Sequence, residues 1–318
     1  MLSGTSTYGE DGRLVPDSSW EQFKYMGWEG VEEGYRARAS LQWERTSGKM
    51  MTFWKITLSY DGSAFHGWQV QPGRSTVQGT LAAVLEQMTG ERVLPQGSGR
   101  TDAGVHALGQ VASFGLEAPI PAENMVRAMN RSLPQSIRVL RAEVVGAGFH
   151  ARHSAVRKTY EYRIFERRVG SGDGERVCSP FVAPFAWDCR WELEIEPMER
   201  AAAMLCGTHD FTSFAASDPD MAQREIGAVG PNPVKTVFAS AVRREGELLR
   251  YRVVGSGFLH HMVRNIVGTL VEVGRGSMRA EDVVGILAAR DRAAAGPTAP
   301  AQGLFLVSVE YGESGVQG

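Results

Sequence analysis

The sequence predicts an α+β fold of two domains, each a mainly antiparallel sheet with helices on one face. Three observations carry this. Trp54, Ile56, Leu58 and Tyr60 alternate with polar residues, as do Tyr160, Tyr162 and Ile164, which is the period of a half-buried strand. Segments with helical spacing lie between such strands in both halves, at Val77–Met88 and Phe258–Val273. Glu245-Gly246-Glu247 joins two strand-like runs directly, as an antiparallel hairpin does.

The elements follow in order. The first strand ends at the turn Asp61-Gly62. Ser75, with Gln78 three residues on, forms a capping box for a helix whose stripe is Val77, Leu81, Val84, Leu85 and Met88. A glycine-rich loop, Gly97 to Gly104, leads into a strand at Val111–Phe114. Pro121 opens a second helix through Met125, Ala128, Met129 and Leu133, and Ile137–Val145 is a strand. The second half has the Tyr160–Ile164 strand, a helix at Pro197–Cys206, strands at Thr236–Glu245 and Leu248–Val254, helices at Phe258–Val273 and Arg279–Ala289, and a last strand at Leu304–Tyr311. Residues 215–233 form a long loop rich in Pro, Gly and Asp. The expected organisation is an N-terminal extension at 1–50, domains at 51–150 and 151–311, and a tail at 312–318. Residues 1–50 contain three of the seven tryptophans without any period, so a poorly ordered appendage or a start placed too far upstream is expected.

Composition bounds the function. The 318 residues are 43% hydrophobic and 22% charged, enough for a sizeable core, which excludes disorder throughout. No run approaches the roughly 18 apolar residues of a membrane span. No basic segment followed by an apolar run opens the chain, so no secretory signal is expected. Three cysteines without CxxC spacing argue against a disulfide scaffold or zinc ribbon and place the chain in a reducing cytosol. Net charge is −2, but residues 92–168 hold 12 basic and 6 acidic residues. That stretch is either an anion-binding face or a chance cluster of solvated arginines, and charge alone does not choose.

Three segments could carry chemistry. In Gly97-Ser98-Gly99-Arg100-Thr101-Asp102-Ala103-Gly104, glycines allow close backbone approach while Arg100 and Asp102 bring opposite charges. Its spacing fits neither a P-loop nor GxGxxG, and taken alone it is a polar turn. In Arg157-Lys158-Thr159-Tyr160, cations suit phosphates and a ring suits an unstacked base; Tyr162 is read as core. Arg264 lies off the apolar stripe Met262, Ile266, Leu270, where a helix arginine is ordinarily solvated or paired with a neighbour. His150 with His153, and His260 with His261, lack further ligands at zinc spacing, so no metal is expected. His66 and His209 are read as ordinary histidines.

These residues sit in blocks that resemble the TruA family of tRNA pseudouridine synthases. Gly99–Val111 (GRTDAGVHALGQV) is similar to the family's signature. Similar blocks are Tyr60–Pro72 with Ser75–Leu81, Phe149–Ile164, His209–Ala215 and Gly257–Gly274. The resemblance spans about Thr52 to Tyr311 and leaves residues 1–50 without a counterpart. It implies two α+β domains with an active-site cleft between them. It also implies a cytoplasmic homodimer that converts uridine to pseudouridine at positions 38, 39 and 40 in the anticodon stem-loop of tRNA. By motif, Asp102 is the catalytic aspartate, Arg264 its ion-pair partner, Tyr160 the aromatic at the target base, and Arg100 a contact to the RNA backbone or an aid to extruding the target. Arg152, Arg157 and Lys158 become further phosphate contacts. The sequence departs from the family at Ala215, where a basic residue is expected, and in the length of the loop after it.

The chemistry agrees with this residue set. The isomerisation exchanges an N1–C1′ bond for a C5–C1′ bond without net redox change or hydrolysis, so neither cofactor nor metal is expected. It needs a carboxylate nucleophile kept ionised by a guanidinium, and a uridine drawn from the stack onto an aromatic ring. The alternative is a non-catalytic tRNA-binding or folding protein using the same cleft, whose hallmark would be a missing Asp102. A glycoside hydrolase would need a second acid flanking the bond and ranks below both.

Overall fold

The computed structural model describes residues 51–167, 176–216 and 232–312. The expected extension, most of the loop 215–233 and the tail beyond Gly312 lie outside the described residues. Apart from the turn Gln71–Arg74, the described residues belong to a single compact unit.

The first strand, β1 (Thr52–Tyr60), buries Trp54, Ile56, Leu58 and Tyr60, as the alternation predicts. Helix α1 (Val77–Thr89) packs Val77, Leu81, Val84 and Leu85 into the core. Each contributes roughly 1.5–3 kcal/mol of burial. Its cap differs from the expected box. Thr76, not Ser75, accepts the Gly79 N–H (3.3 Å). Gln78 turns inward, accepting from Val70 N–H and donating to the Pro95 carbonyl, both at 3.0 Å. A buried amide must satisfy both ends, and the loops on either side supply the partners. The helix stops at Gly90, at φ 74, whose N–H returns to the Glu86 carbonyl.

Strand β2 (Gln96–Gly97) precedes β3 (His106–Leu116), which is longer than expected and buried almost throughout. Helix α2 (Ala122–Ser132) buries Met125 and Met129 beneath β4 (Ile137–Val145). Then come β5 (Ala155–Glu166), β6 (Trp187–Cys189), α3 (Ile195–Met204), β7 (Gly207–Asp210), β8 (Val234–Glu245) and β9 (Leu248–Gly255). Helices α4 (Met262–Gly274) and α5 (Asp282–Ala289) and strand β10 (Leu304–Tyr311) complete the order. Helix α4 is apolar on nearly every side and is a core helix.

Mixed α+β architecture is as expected, but the strands of both halves lie in one ten-stranded sheet rather than two. Its order is β4-β1-β3-β10-β5-β9-β8-β7, with β2 on β3 and β6 on β5. The join is β10. It runs parallel to β3 through Phe305 opposite His106 and Leu306 opposite Ala107, and antiparallel to β5. Leu304-Phe305-Leu306 is a continuous buried apolar run, as befits a strand covered on both faces. The join brings the loop before β3 close to β5 and to the start of α4. No described helix is long and apolar enough to cross a membrane.

Candidate active site

The glycine-rich loop between β2 and β3 rests on two supports. From one side comes the segment after β1. Trp68 N–H donates to the Thr101 carbonyl (3.0 Å) and Gly104 N–H to the Phe65 carbonyl (3.3 Å). Gly67 has φ 90, and a Cβ there would stand 2.6 Å from the Thr101 carbonyl oxygen. A side chain at Gly62 would collide with the Val105 carbonyl. These close approaches explain why both positions are glycine.

From below comes a buried polar network. Gln110, fully buried on β3, donates to the Gly99 carbonyl (2.9 Å) and accepts from the Ser98 hydroxyl (2.6 Å). The Tyr60 hydroxyl meets Thr101 Oγ1 at 2.8 Å. On the flank, the Lys158 ammonium donates to the Ser98 carbonyl at 2.5 Å. Ser98, Gly99 and Thr101 are thereby held at four backbone or side-chain points, leaving little freedom to the Asp102 that follows.

Asp102 is the centre of the site and is 22% exposed. Arg264 Nη1 donates to its Oδ2 at 2.9 Å, while Arg264 Nε is fixed on the Ala299 carbonyl at 2.8 Å. His260 Nε2 stands 3.5 Å from Oδ1 and His261 Nε2 3.3 Å from Oδ2. Burial pushes the Asp102 carboxyl up, but the His260 hydrogen bond, His261 and Arg264 outweigh it and hold the group below the usual carboxylate range. Burial holds His261 itself below the ordinary histidine value, against the pull of Asp102. Arg264 supplies a positive charge that does not depend on the protonation of either histidine. An ionised carboxylate among donors, partly open to solvent, is a nucleophile ready for an electrophilic carbon.

Helix α4 begins at Met262, four residues later than its apolar pattern predicts, and His261 occupies left-handed backbone at φ 57. The helix start is given up to turn both imidazoles onto Asp102. A non-glycine residue in that conformation is costly and is held by its surroundings. Here Asn265 N–H donates to the His261 carbonyl and Ala216 N–H to that of His260.

The other expected residues fall around this centre. Tyr160 is buried on β5, with its ring edge-on to Phe258 at 5.0 Å between centroids. Burial, with Tyr60 and Asp102 nearby, raises its phenol well above the ordinary value, so it stays protonated and is a weak base. The Lys158 charge is engaged on the loop rather than projecting to solvent. Arg100, Arg152 and Arg157 are exposed, and the Arg157 guanidinium lies over Phe238 at 4.7 Å. Tyr162 is core, as expected, its hydroxyl donating to the Pro300 carbonyl.

The sequence reading missed the contacts of His260 and His261 with Asp102, the Gln110 network, and Lys235, whose charge reaches Lys158. The adjacency of the two histidines to Arg264 was the available signal. At the level of sequence they read as metal-ligand candidates rather than as neighbours of a distant loop.

Comparison with known proteins follows the same lines. A family model described as tRNA pseudouridine synthase matches residues 56–154 and 201–312. Asp102, His260, His261 and Arg264 lie in the matched stretches, whereas Arg157, Lys158 and Tyr160 lie between them. The chain is similar to the tRNA pseudouridine synthase A of Solibacter usitatus, 52% identical over 257 residues, covering 81% of this chain and 98% of that protein. It is 46% identical over 259 residues to that of Moorella thermoacetica, covering 81% and 98%. It is 43% identical over 265 residues to that of Lacticaseibacillus casei, covering 82% and 100%.

Proposed function

The chain belongs to the tRNA pseudouridine synthase family, and on that footing we propose that it isomerises uridine to pseudouridine at positions 38, 39 and 40 of the tRNA anticodon stem-loop, with Asp102 as nucleophile. The observation that carries the assignment of Asp102 is its ionised carboxylate, fixed by Arg264 at 2.9 Å in a loop gripped from below. By resemblance to the family, the working unit is a cytoplasmic homodimer. By the same resemblance, residues 51–150 supply Asp102 and residues 151–311 supply Arg264 and Tyr160, as two family domains that share the one sheet.

The reaction breaks N1–C1′, turns the uracil and joins C5 to C1′. The proton leaves C5 and N1 gains one, so atoms and electrons balance without an added reactant. Asp102 attacks the nucleoside and leaves again. Arg264 keeps the carboxylate charged beforehand and receives it on departure. Drawing the uridine from the stack costs a few kcal/mol. A ring contact with Tyr160 returns roughly 1–3 kcal/mol. The protonated Tyr160 hydroxyl is suited to donate a hydrogen bond to the turning base rather than to remove the C5 proton. Arg100, Arg152 and Arg157 lie exposed to meet phosphates.

Transfer RNA carrying tritium at uracil C5 tests this reading. Wild type releases tritium, and Asp102→Asn binds the RNA without releasing it. Release by both proteins would move the nucleophile elsewhere. RNA binding without release by wild type would leave a tRNA-binding protein.

A further inference from the structure

We propose that Asp102, His260 and His261 form a binding site for Zn2+ or a similar transition-metal cation, and that the ion, when bound, switches the enzyme off. Among the described residues these three are a group whose ligand atoms all lie within 4.8 Å of one another. The two histidine-to-carboxylate separations are 3.5 and 3.3 Å. A tetrahedral Zn2+ with bonds of about 2.0–2.1 Å sets its ligand atoms about 3.3–3.4 Å apart. The two separations are close to that spacing, one to each carboxylate oxygen, so a bidentate Asp102 or a small turn of its carboxylate brings both imidazoles and an oxygen onto one ion.

The set is also held in advance. Left-handed backbone at His261 and the Ala216 N–H on the His260 carbonyl turn the two rings to the carboxylate, their centroids 3.9 Å apart. All three side chains are between 22 and 29% exposed, which gives an ion a way in and leaves room for a water as fourth ligand. Two imidazoles and one carboxylate suit Zn2+, Co2+ or Cu2+. They do not suit Mg2+, which takes oxygen ligands and retains its waters, so the Mg2+ that accompanies tRNA is a poor competitor. Arg264 opposes the ion across Oδ2 and makes the site reversible rather than structural. That the ion binds does not depend on the proposed activity. That occupancy stops turnover rests on Asp102 being the nucleophile, because the ion takes the lone pairs the reaction needs.

The test is calorimetric titration of Zn2+ into full-length protein in Mg2+ buffer without RNA. Visible absorption of added Co2+ reports coordination geometry alongside it. The expected result is a single reversible site with tetrahedral Co2+ bands. It is weakened roughly 10-fold or more in Asp102→Asn, which keeps the shape of the side chain, and in the double variant His260→Gln with His261→Gln. His153→Gln tests the other histidine pair, His150 and His153, and is expected to leave affinity unchanged. Absence of binding to wild type, or equal affinity in the Asp102 and His260/His261 variants, overturns the site. With binding established, Zn2+ is expected to stop tritium release and a chelator to restore it. Full turnover by the saturated enzyme would overturn the switch, and with it the nucleophilic role of Asp102, while the measured site would stand.

Discussion

Arg264 reaches across 162 residues of sequence to place Nη1 2.9 Å from Asp102 Oδ2. The contact joins the loop before β3 to the first turn of α4. With His260 and His261 it also holds the carboxylate below the usual range. Under the proposed mechanism only the ionised form of Asp102 attacks, so activity is expected to fall as pH drops through its folded value. That value is held low in wild type. Arg264→Lys removes the fork that engages Ala299 and Asp102 together. The expected outcome is a loss in kcat on the order of 10²-fold with the acid limb of the kcat profile moved to higher pH. A pH series of single-turnover rates reads both, and an unmoved limb would separate Arg264 from the charge state of Asp102.

Glu161 makes a second buried charge cluster, on β5. It is 2% exposed and accepts from Arg163 (2.9 Å), Arg250 (3.2 Å) and Arg252 (2.9 Å). Burial raises its carboxyl, and the arginines more than reverse this, so its folded value lies below the ordinary one. Its contribution to stability is complete above the unfolded carboxylate value and is lost as pH falls through the folded value. Glu161→Gln is expected to cost about 1–3 kcal/mol at neutral pH, moderated because the arginines are partly hydrated. The difference from wild type should shrink as pH drops below the usual carboxylate range. Urea unfolding at two pH values checks it, and a pH-independent difference would mean packing rather than charge is lost.

Local pattern made much of this molecule legible, and long-range pairing hid the rest. The alternation at Trp54–Tyr60 and the stripe at Met125 and Met129 encode their own burial, because each side chain is placed by its own element. Asp102 and Arg264 were identifiable through motif resemblance, since neither spacing nor charge distinguishes them from a polar turn and a solvated arginine. The joining of two expected sheets through β10 depends on pairs such as Phe305 with His106, about 200 residues apart in sequence, which no window registers. The late start of α4 fails for a related reason. Its apolar pattern begins at Phe258, but the backbone at His261 is bent to serve a carboxylate supplied by another part of the chain.

Lys158 and Arg152 are both expected as phosphate contacts, and the structure places them differently. The Lys158 ammonium donates to the Ser98 carbonyl, and burial, with Arg152 and Lys235 nearby, pushes its value down to about 8. Arg152 is exposed. Lys158→Met should therefore loosen the Asp102 loop and lower kcat by roughly 10- to 100-fold, with little change in KM. Wild type should lose part of its rate as pH rises through about 8, because the ammonium gives up the charge that strengthens its bond to Ser98. The Lys158→Met enzyme should lack that alkaline limb. Arg152→Ala should instead leave kcat intact, weaken tRNA binding for all sequences alike, and reduce the slope of log affinity against log salt by about 1. Measuring rate, KM and salt slope for both variants separates a clamp from a phosphate contact. A flattened salt slope with intact kcat in Lys158→Met would return that lysine to the RNA surface.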